Sequence, residues 1–259
     1  MLRTRLLWIA FFLFTLPAAW AGDAPPVTTL LGAGIWSRPA YDGADTSHTV
    51  LIPVIRYNGQ PLFARTTFGM LEGGLRAELL SGFTLGAQLA YEGGRDSTES
   101  AFLTTHNIST LSPSLSWGLH AQLEKQIGPM PLIALLRYRQ DVDGERGAQA
   151  DLRLTAGIYK SGGLNVGIFA QTTWANTSST QYYYGISARQ SLTSGLAAYH
   201  PQGGALFTAE GLLWSYDLHA KWILLGSIEM RQLRGAALNS PLVQVNSSRY
   251  ASIGLAYQF

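Results

Sequence analysis

The chain has 259 residues and a formal net charge of +2, and only 13% of its residues are charged while 47% are hydrophobic. An ordinary soluble domain carries about twice that fraction of charge, so composition argues against one, and the near-neutral balance implies no nucleic-acid partner. There is no cysteine, which excludes disulfides, thiolate metal sites and a lipid-modified cysteine at the mature N-terminus.

In chain order, Arg3 and Arg5 precede an apolar run over residues 6–16, followed by Pro17, Ala19 and Ala21. A basic start, a short apolar run and an Ala-x-Ala site read as a secretory signal peptide over residues 1–21, leaving a mature barrel domain over 22–259. A membrane anchor would need about 20 apolar residues. No later segment offers an uninterrupted apolar run for a spanning helix. Lipid requires every backbone N–H and C=O to be satisfied within the protein, so a membrane chain without apolar helices is left with the closed β-barrel.

Period-two patterning supports that class. Phe83, Leu85, Ala87, Leu89 and Tyr91 alternate with Thr84, Gly86, Gln88 and Glu92. Leu111, Leu115, Trp117, Leu119 and Leu123 alternate with Ser112, Ser116, Gly118, His120 and Glu124. The same register recurs in Ala150, Leu152, Leu154, Ala156 and Ile158, and then in Leu164, Val166, Ile168, Ala170 and Trp174. A helical period cannot generate strict alternation at this length, whereas a strand with one face in lipid and one in a polar lumen does.

Short turn signals at 58–61, 81–82, 128–129, 161–163 and 220–221 alternate with longer polar segments at 37–47, 93–110, 141–148, 176–205 and 234–248. The expected fold is all-β: a transmembrane antiparallel barrel of about 12 strands, 10 being the alternative, with short periplasmic turns and long outer loops. The pattern is weakest at 62–70 and 75–80, joined by a brief outer connection at 71–74, and at 182–190, which reads as an extra strand or an inward loop. Glu210 shares parity with Leu212, Trp214 and Tyr216, which places it on a part of the strand above the bilayer rather than beside a bulge. The final segment carries Ala251, Ile253, Leu255, Tyr257 and Phe259 on one face. A terminal Phe after alternating apolar residues resembles the signal read by the outer-membrane assembly machinery, with Tyr257 and Phe259 also serving a girdle among outer-membrane lipids.

The inward face is expected to carry Arg76, Glu78, Glu92, Glu124, Arg137, Arg139, Asp151, Arg153, Asp217, Glu229 and Arg231. A selective pore would favour one sign; mixed signs suit an ion-pair network that partly plugs the lumen, with a small water-filled pore second. Lys125, Lys160 and Lys221 all fall at strand ends directed to the periplasm, where they serve as interfacial anchors or candidate partner contacts.

Chemistry is thin. His48, His106, His120, His200 and His219 show no zinc-ligand spacing, and there is no nucleophile elbow. His120 and Ser116 share a strand face about 13 Å apart, too far for a hydrogen bond. Asp42 and Asp45 read as a solvated acidic loop, and Tyr182, Tyr183 and Tyr184 as girdle residues ahead of a sugar-stacking site. No enzyme, cofactor or metal is expected.

Three groups of residues carry a family likeness. The first runs from Leu31 through Trp36, Tyr41 and Gly43 to Asp45, with Pro53 and Tyr57 in the next segment. The second pairs Tyr183, Tyr184, Gly185, Ile186 and Ser187 with Ser194, Gly195, Leu196 and Tyr199, and the third is Asn239, Ser240, Pro241, Leu242 and Val243. In these the mature chain resembles the MipA/OmpV family of outer-membrane proteins, including its YiaT-type members. The resemblance implies a cell-envelope scaffold that binds a lytic transglycosylase and a murein synthase at the periplasmic side. It also implies, as alternatives, a narrow porin-like channel or a surface adhesin or immunogen. It brings no catalytic residues.

Overall fold

A computed structural model describes residues 29–259 apart from Phe68 and Ala220; the signal-peptide expectation falls on residues outside these. Twelve strands form the wall: β1 (Thr29–Pro39), β2 (Ser47–Asn58), β3 (Leu62–Thr67), β4 (Met70–Leu80), β5 (Phe83–Glu92), β6 (Ser114–Ile127), β7 (Met130–Asp141), β8 (Ala148–Ser161), β9 (Leu164–Ala175), β10 (Gly204–His219), β11 (Trp222–Leu233) and β12 (Ser247–Gln258). Each pairs antiparallel with its sequence neighbour, and β1 pairs with β12, from Leu30 opposite Gln258 to Ser37 opposite Ala251, so the sheet closes on itself. Closure leaves no sheet edge, which is the condition for a β-structure in lipid. At the seam Gly32 and Gly34 keep β1 against β12: a Cβ on Gly32 would sit 2.0 Å from the Leu255 carbonyl oxygen.

The outward positions are exposed leucines, isoleucines and aromatics such as Leu51, Leu89, Trp117, Leu154 and Ile228, with Leu51 at 78% exposure. A ring of such residues would be untenable in water and is what a bilayer requires. Aromatics mark both ends of this band. Trp222, Tyr257 and Phe259 meet edge to face in sequence at 5.3 and 5.1 Å near the short turns, and Trp117 packs on Tyr138 at 5.9 Å toward the long loops.

One segment departs from the sequence expectation and another follows only one of its two readings. Residues 71–74 are not a connection: β3 ends at Thr67, β4 begins at Met70, and Glu72 stands inside the strand. Gly73, Gly74 and the inward Phe63 blur the alternation there. The stretch 182–190 is not a strand but the inward-folded loop, built from helices, with Tyr184 packed with Phe169 and Phe207 of the barrel interior. It holds the end of α2 (Thr177–Tyr184) and the start of α3 (Ala188–Ser194), begun by Asn176 and by a reciprocal cap between Ser187 and Gln190. The long loops also carry α1 (Ala101–Thr105) and α4 (Gly235–Leu238).

Candidate functional site

Glu72, Arg137 and Asp151 are the centre of the lumen. Arg137 of β7 reaches Glu72 of β4 at 3.0 Å and Asp151 of β8 at 2.8 Å, and Arg65 of β3 closes on the other Glu72 oxygen. The Gln88 amide nitrogen donates to Glu72 at 2.9 Å and its Oε1 accepts from His120 Nδ1 at 2.9 Å, while the Thr173 hydroxyl donates to Asp151 at 2.7 Å. Arg139 continues the network between Glu92 and Asp151. Glu72 and Asp151 are each 1% exposed and Arg137 6%, so these side chains are buried and fill the lumen at their level. Buried charges are tolerated only when paired and hydrogen-bonded, and here guanidiniums and carboxylates match one for one.

A second group lies beside it. Arg231 of β11 pairs with Glu229 at 2.8 Å and with Asp42 at 2.8 Å, and its guanidinium is sandwiched between Phe207 at 4.2 Å and Tyr250 at 4.5 Å. Tyr250 donates to Asp42 as well. Asp42 is therefore not a solvated loop carboxylate; the first loop folds inward and delivers it to Arg231. Arg153 lies over Phe169 at 3.7 Å and donates to Gln171 at 3.3 Å.

The remaining inward charges sit lower. Arg76 donates to the Gly59 and Asn58 carbonyls of the β2–β3 turn, and Glu78, Glu124 and Asp217 are exposed near the short-turn end. The plug thus occupies the long-loop half, and the charges nearer the short turns are exposed. Sequence parity missed Glu72, hidden by the misread connection, and Arg65, whose six-residue strand is too short to show a register.

Over the plug, the long loops pack into a cap with its own apolar core. Leu103, Ile108, Ile186 and Leu242 are buried together, with Tyr41, Phe102, Leu196 and Tyr199 against them. The three motif groups meet here. The Tyr41 hydroxyl donates to the Leu242 carbonyl at 2.9 Å, Ile186 and Tyr199 exchange backbone bonds at 2.9 and 2.8 Å, and Tyr199 donates to the Ala236 carbonyl at 2.7 Å. Ser240 donates to the Tyr184 carbonyl, and Pro241 begins the turn that sends Leu242 into the core. Gly185 and Gly195 end α2 and α3, the latter at φ 71°, where a side chain would be strained. Ser194 accepts from the Leu196 N–H at 3.1 Å.

Tyr182, Tyr183 and Tyr184 lie on α2 inside this cap rather than in a girdle, with Tyr184 only 4% exposed. Burial pushes the phenols of Tyr41 and Tyr183 up to about 12, the charge of Glu92 adding to it for Tyr183. Arg95, 8% exposed, crosses the cap over the Tyr41 ring at 5.8 Å and donates to the Tyr183 carbonyl at 3.1 Å, and burial lowers its own pKa. Ser116 and His120, on one strand face, bond to Glu92 and Gln88 respectively.

At the opposite end Lys125, Lys160 and Lys221 are all exposed, and Lys221 lies 5.6 Å from the Tyr257 ring.

Residues 31–259 match the family model described as MltA-interacting protein MipA. The MltA-interacting proteins of Escherichia coli (strain K12) and Shigella flexneri are each 31% identical to the chain over 101 residues, which is 39% of this chain and 40% of those relatives. Among solved structures, an outer membrane channel from Pseudomonas putida F1 is similar with a TM-score of 0.50 and 13% identity, covering 92% of this chain and 98% of that one. That likeness is one of fold.

Proposed function

Since the chain belongs to the MipA family, we propose that it is a non-enzymatic outer-membrane scaffold whose short-turn face holds murein-modifying enzymes, a lytic transglycosylase first among them. The observation that supports this reading is the filling of the lumen: a layer containing Glu72 and Asp151 at 1% exposure lies under a packed cap. A protein whose interior is filled acts through its surfaces. The name of the relatives, MltA-interacting protein, supports a murein lytic transglycosylase as partner. On this reading the short turns face the periplasm and Lys125, Lys160 and Lys221 offer the cationic contacts, with a murein synthase as a further member of the assembly.

The experiment is co-purification from detergent extracts of envelope, paired with planar-bilayer conductance. Recovery of a lytic transglycosylase together with little steady current supports the scaffold. A steady ohmic current with no murein enzyme in the eluate overturns it in favour of a channel.

A further inference from the structure

Across the lipid-facing side of β9 to β12 one ladder row runs Ala170, Glu210, Met230, Arg249. The row beneath it is the apolar Ile168, Leu212, Ile228 and Ala251. Met230 stands eight residues beyond Trp222 of the short-turn girdle. With strands tilted by about 40° that is about 20 Å along the barrel axis, near the upper edge of an apolar band about 25 Å tall. Charged groups on a lipid-facing wall destabilise it unless they find partners.

Glu210 and Arg249 are both exposed, and among the described residues no ion pair includes either of them. A bulge between Ala205 and Phe207 lies above Glu210 and leaves it on the face of Leu212 and Trp214. Beside Glu210 a groove of about 310 Å³ extends over Leu154, Ala170 and Thr172. Arg234, on the rim of that groove, is held one row nearer the long loops, its Nε donating to Thr208 Oγ1 at 3.1 Å and its Nη2 to Gln232 Oε1 at 2.7 Å. A carboxylate set among apolar and small side chains suits a cation carried on an aliphatic stem, and an arginine is such a group.

We propose that this face is the interface of a two-fold dimer of the chain. Two copies inserted the same way into one bilayer form a closed pair only about an axis along the membrane normal. Such an interface is isologous: if one residue meets a second across it, the second also meets the first. With the axis beside Met230, each copy brings Glu210 one strand to one side and Arg249 one strand to the other. Glu210 of either copy then faces Arg249 of the other, whose side chain enters the groove over Ala170. Within one copy the two groups stand two strands apart, about 10 Å, with Met230 between them. The slope of the row raises Arg249 by about 6 Å, a step that its own side chain spans. A single anion or cation would leave the other charge of the row unmatched, whereas a second copy matches both, twice over. The inference rests on the membrane placement of the barrel and is independent of the scaffold role, since the short turns stay free.

The test exploits a chain without cysteine. In the full barrel reconstituted in phosphatidylethanolamine vesicles, Met230→Cys is expected to join two chains through a disulfide at the axis on mild oxidation. Leu89→Cys, exposed on β5 across the barrel, is expected to stay monomeric. Adding Glu210→Arg or Arg249→Glu to Met230→Cys should lower cross-linking by about tenfold or more, since like charges then meet twice. The double reversal should restore it. The heat-induced gel shift shows that each variant is folded. Where a reversal does not fold, Glu210→Gln and Arg249→Gln take its place, each expected to lower the yield several-fold. Equal cross-linking at positions 230 and 89, yields indifferent to these charges, or failure of a folded double reversal to restore the dimer overturns the proposal. So does native mass spectrometry that finds a monomer holding one zwitterionic phospholipid, lost in both single reversals.

Discussion

The Ser240 hydroxyl donates to the Tyr184 carbonyl at 2.6 Å, tying together two motif segments 56 residues apart in the chain. The same oxygen accepts the Leu242 N–H at 3.2 Å, so one side chain holds the loop before β12 against the end of α2. Replacing it leaves a buried carbonyl and a buried N–H without partners. Ser240→Ala is expected to destabilise the cap by about 1–3 kcal/mol. Limited proteolysis should then cut the 176–203 loop faster, while the barrel keeps its heat-induced gel shift.

Arg137 bridges two carboxylates that water does not reach. Arg137→Met is expected to cost about 3–5 kcal/mol in urea unfolding, because Arg65 and Arg139 then face Glu72, Asp151 and Glu92 with one guanidinium too few and the buried layer carries an unbalanced negative charge. Adding Asp151→Asn, which restores the balance of guanidiniums and carboxylates, should recover much of that loss. A stability unchanged by Arg137→Met would show that the lumen is wetter than the burial of these groups implies.

If the ion-pair layer is what blocks the barrel, removing it should open a path. The triple variant Glu72→Ala, Arg137→Ala, Asp151→Ala is expected to show discrete single-channel current in planar bilayers where the parent shows little. Absence of current in a folded triple variant would place the block in the cap.

The phenols of Tyr41 and Tyr183 ionise near 12 when packed and near 10 when solvated. A raised folded value means that the packed cap holds its protons more tightly, so the associated stability is complete below pH 10 and is lost as pH rises from 10 through 12. Near-ultraviolet phenolate absorbance followed alongside loop proteolysis should show the cap loosening in that window while far-ultraviolet circular dichroism keeps the strand signal. A cap that stays protease-resistant above pH 12 would contradict the assignment.

For the scaffold, reversal of Lys125 and Lys160 to Glu is expected to weaken capture of the transglycosylase by roughly tenfold at low ionic strength and less at high salt. Lys221 should matter less, since it is already engaged with the Tyr257 ring. Equal capture by the parent and the reversed variants would move the contact away from these turns.

The wall was legible where lipid and lumen differ most. In β6 Trp117 and Leu119 face out while Ser116 and His120 face in, and each strand of that kind announces its own register. Legibility failed where the inward face is also apolar. In β7 the inward parity of Arg137 also carries Pro131, Ile133 and Leu135, and in β3 it carries Phe63, so period two fades. Asp42 could not be placed because its partner, Arg231, lies 189 residues away and only the folded loop joins them. The helices α2 and α3 did leave a local signal in Asn176 and in Ser187 with Gln190. The adjacent tyrosines, read as girdle residues, obscured it.

The β1–β12 seam has a kinetic side. Leu30 and Gln258 must meet across nearly the full described length before either strand has both its neighbours, and pairings of such separation form late. Until then two apolar ribbons with unpaired backbone stand open, each a template for any other strand it meets. Gly32 and Gly34, which let the two backbones approach, therefore bear on the lifetime of that vulnerable state as much as on the finished wall.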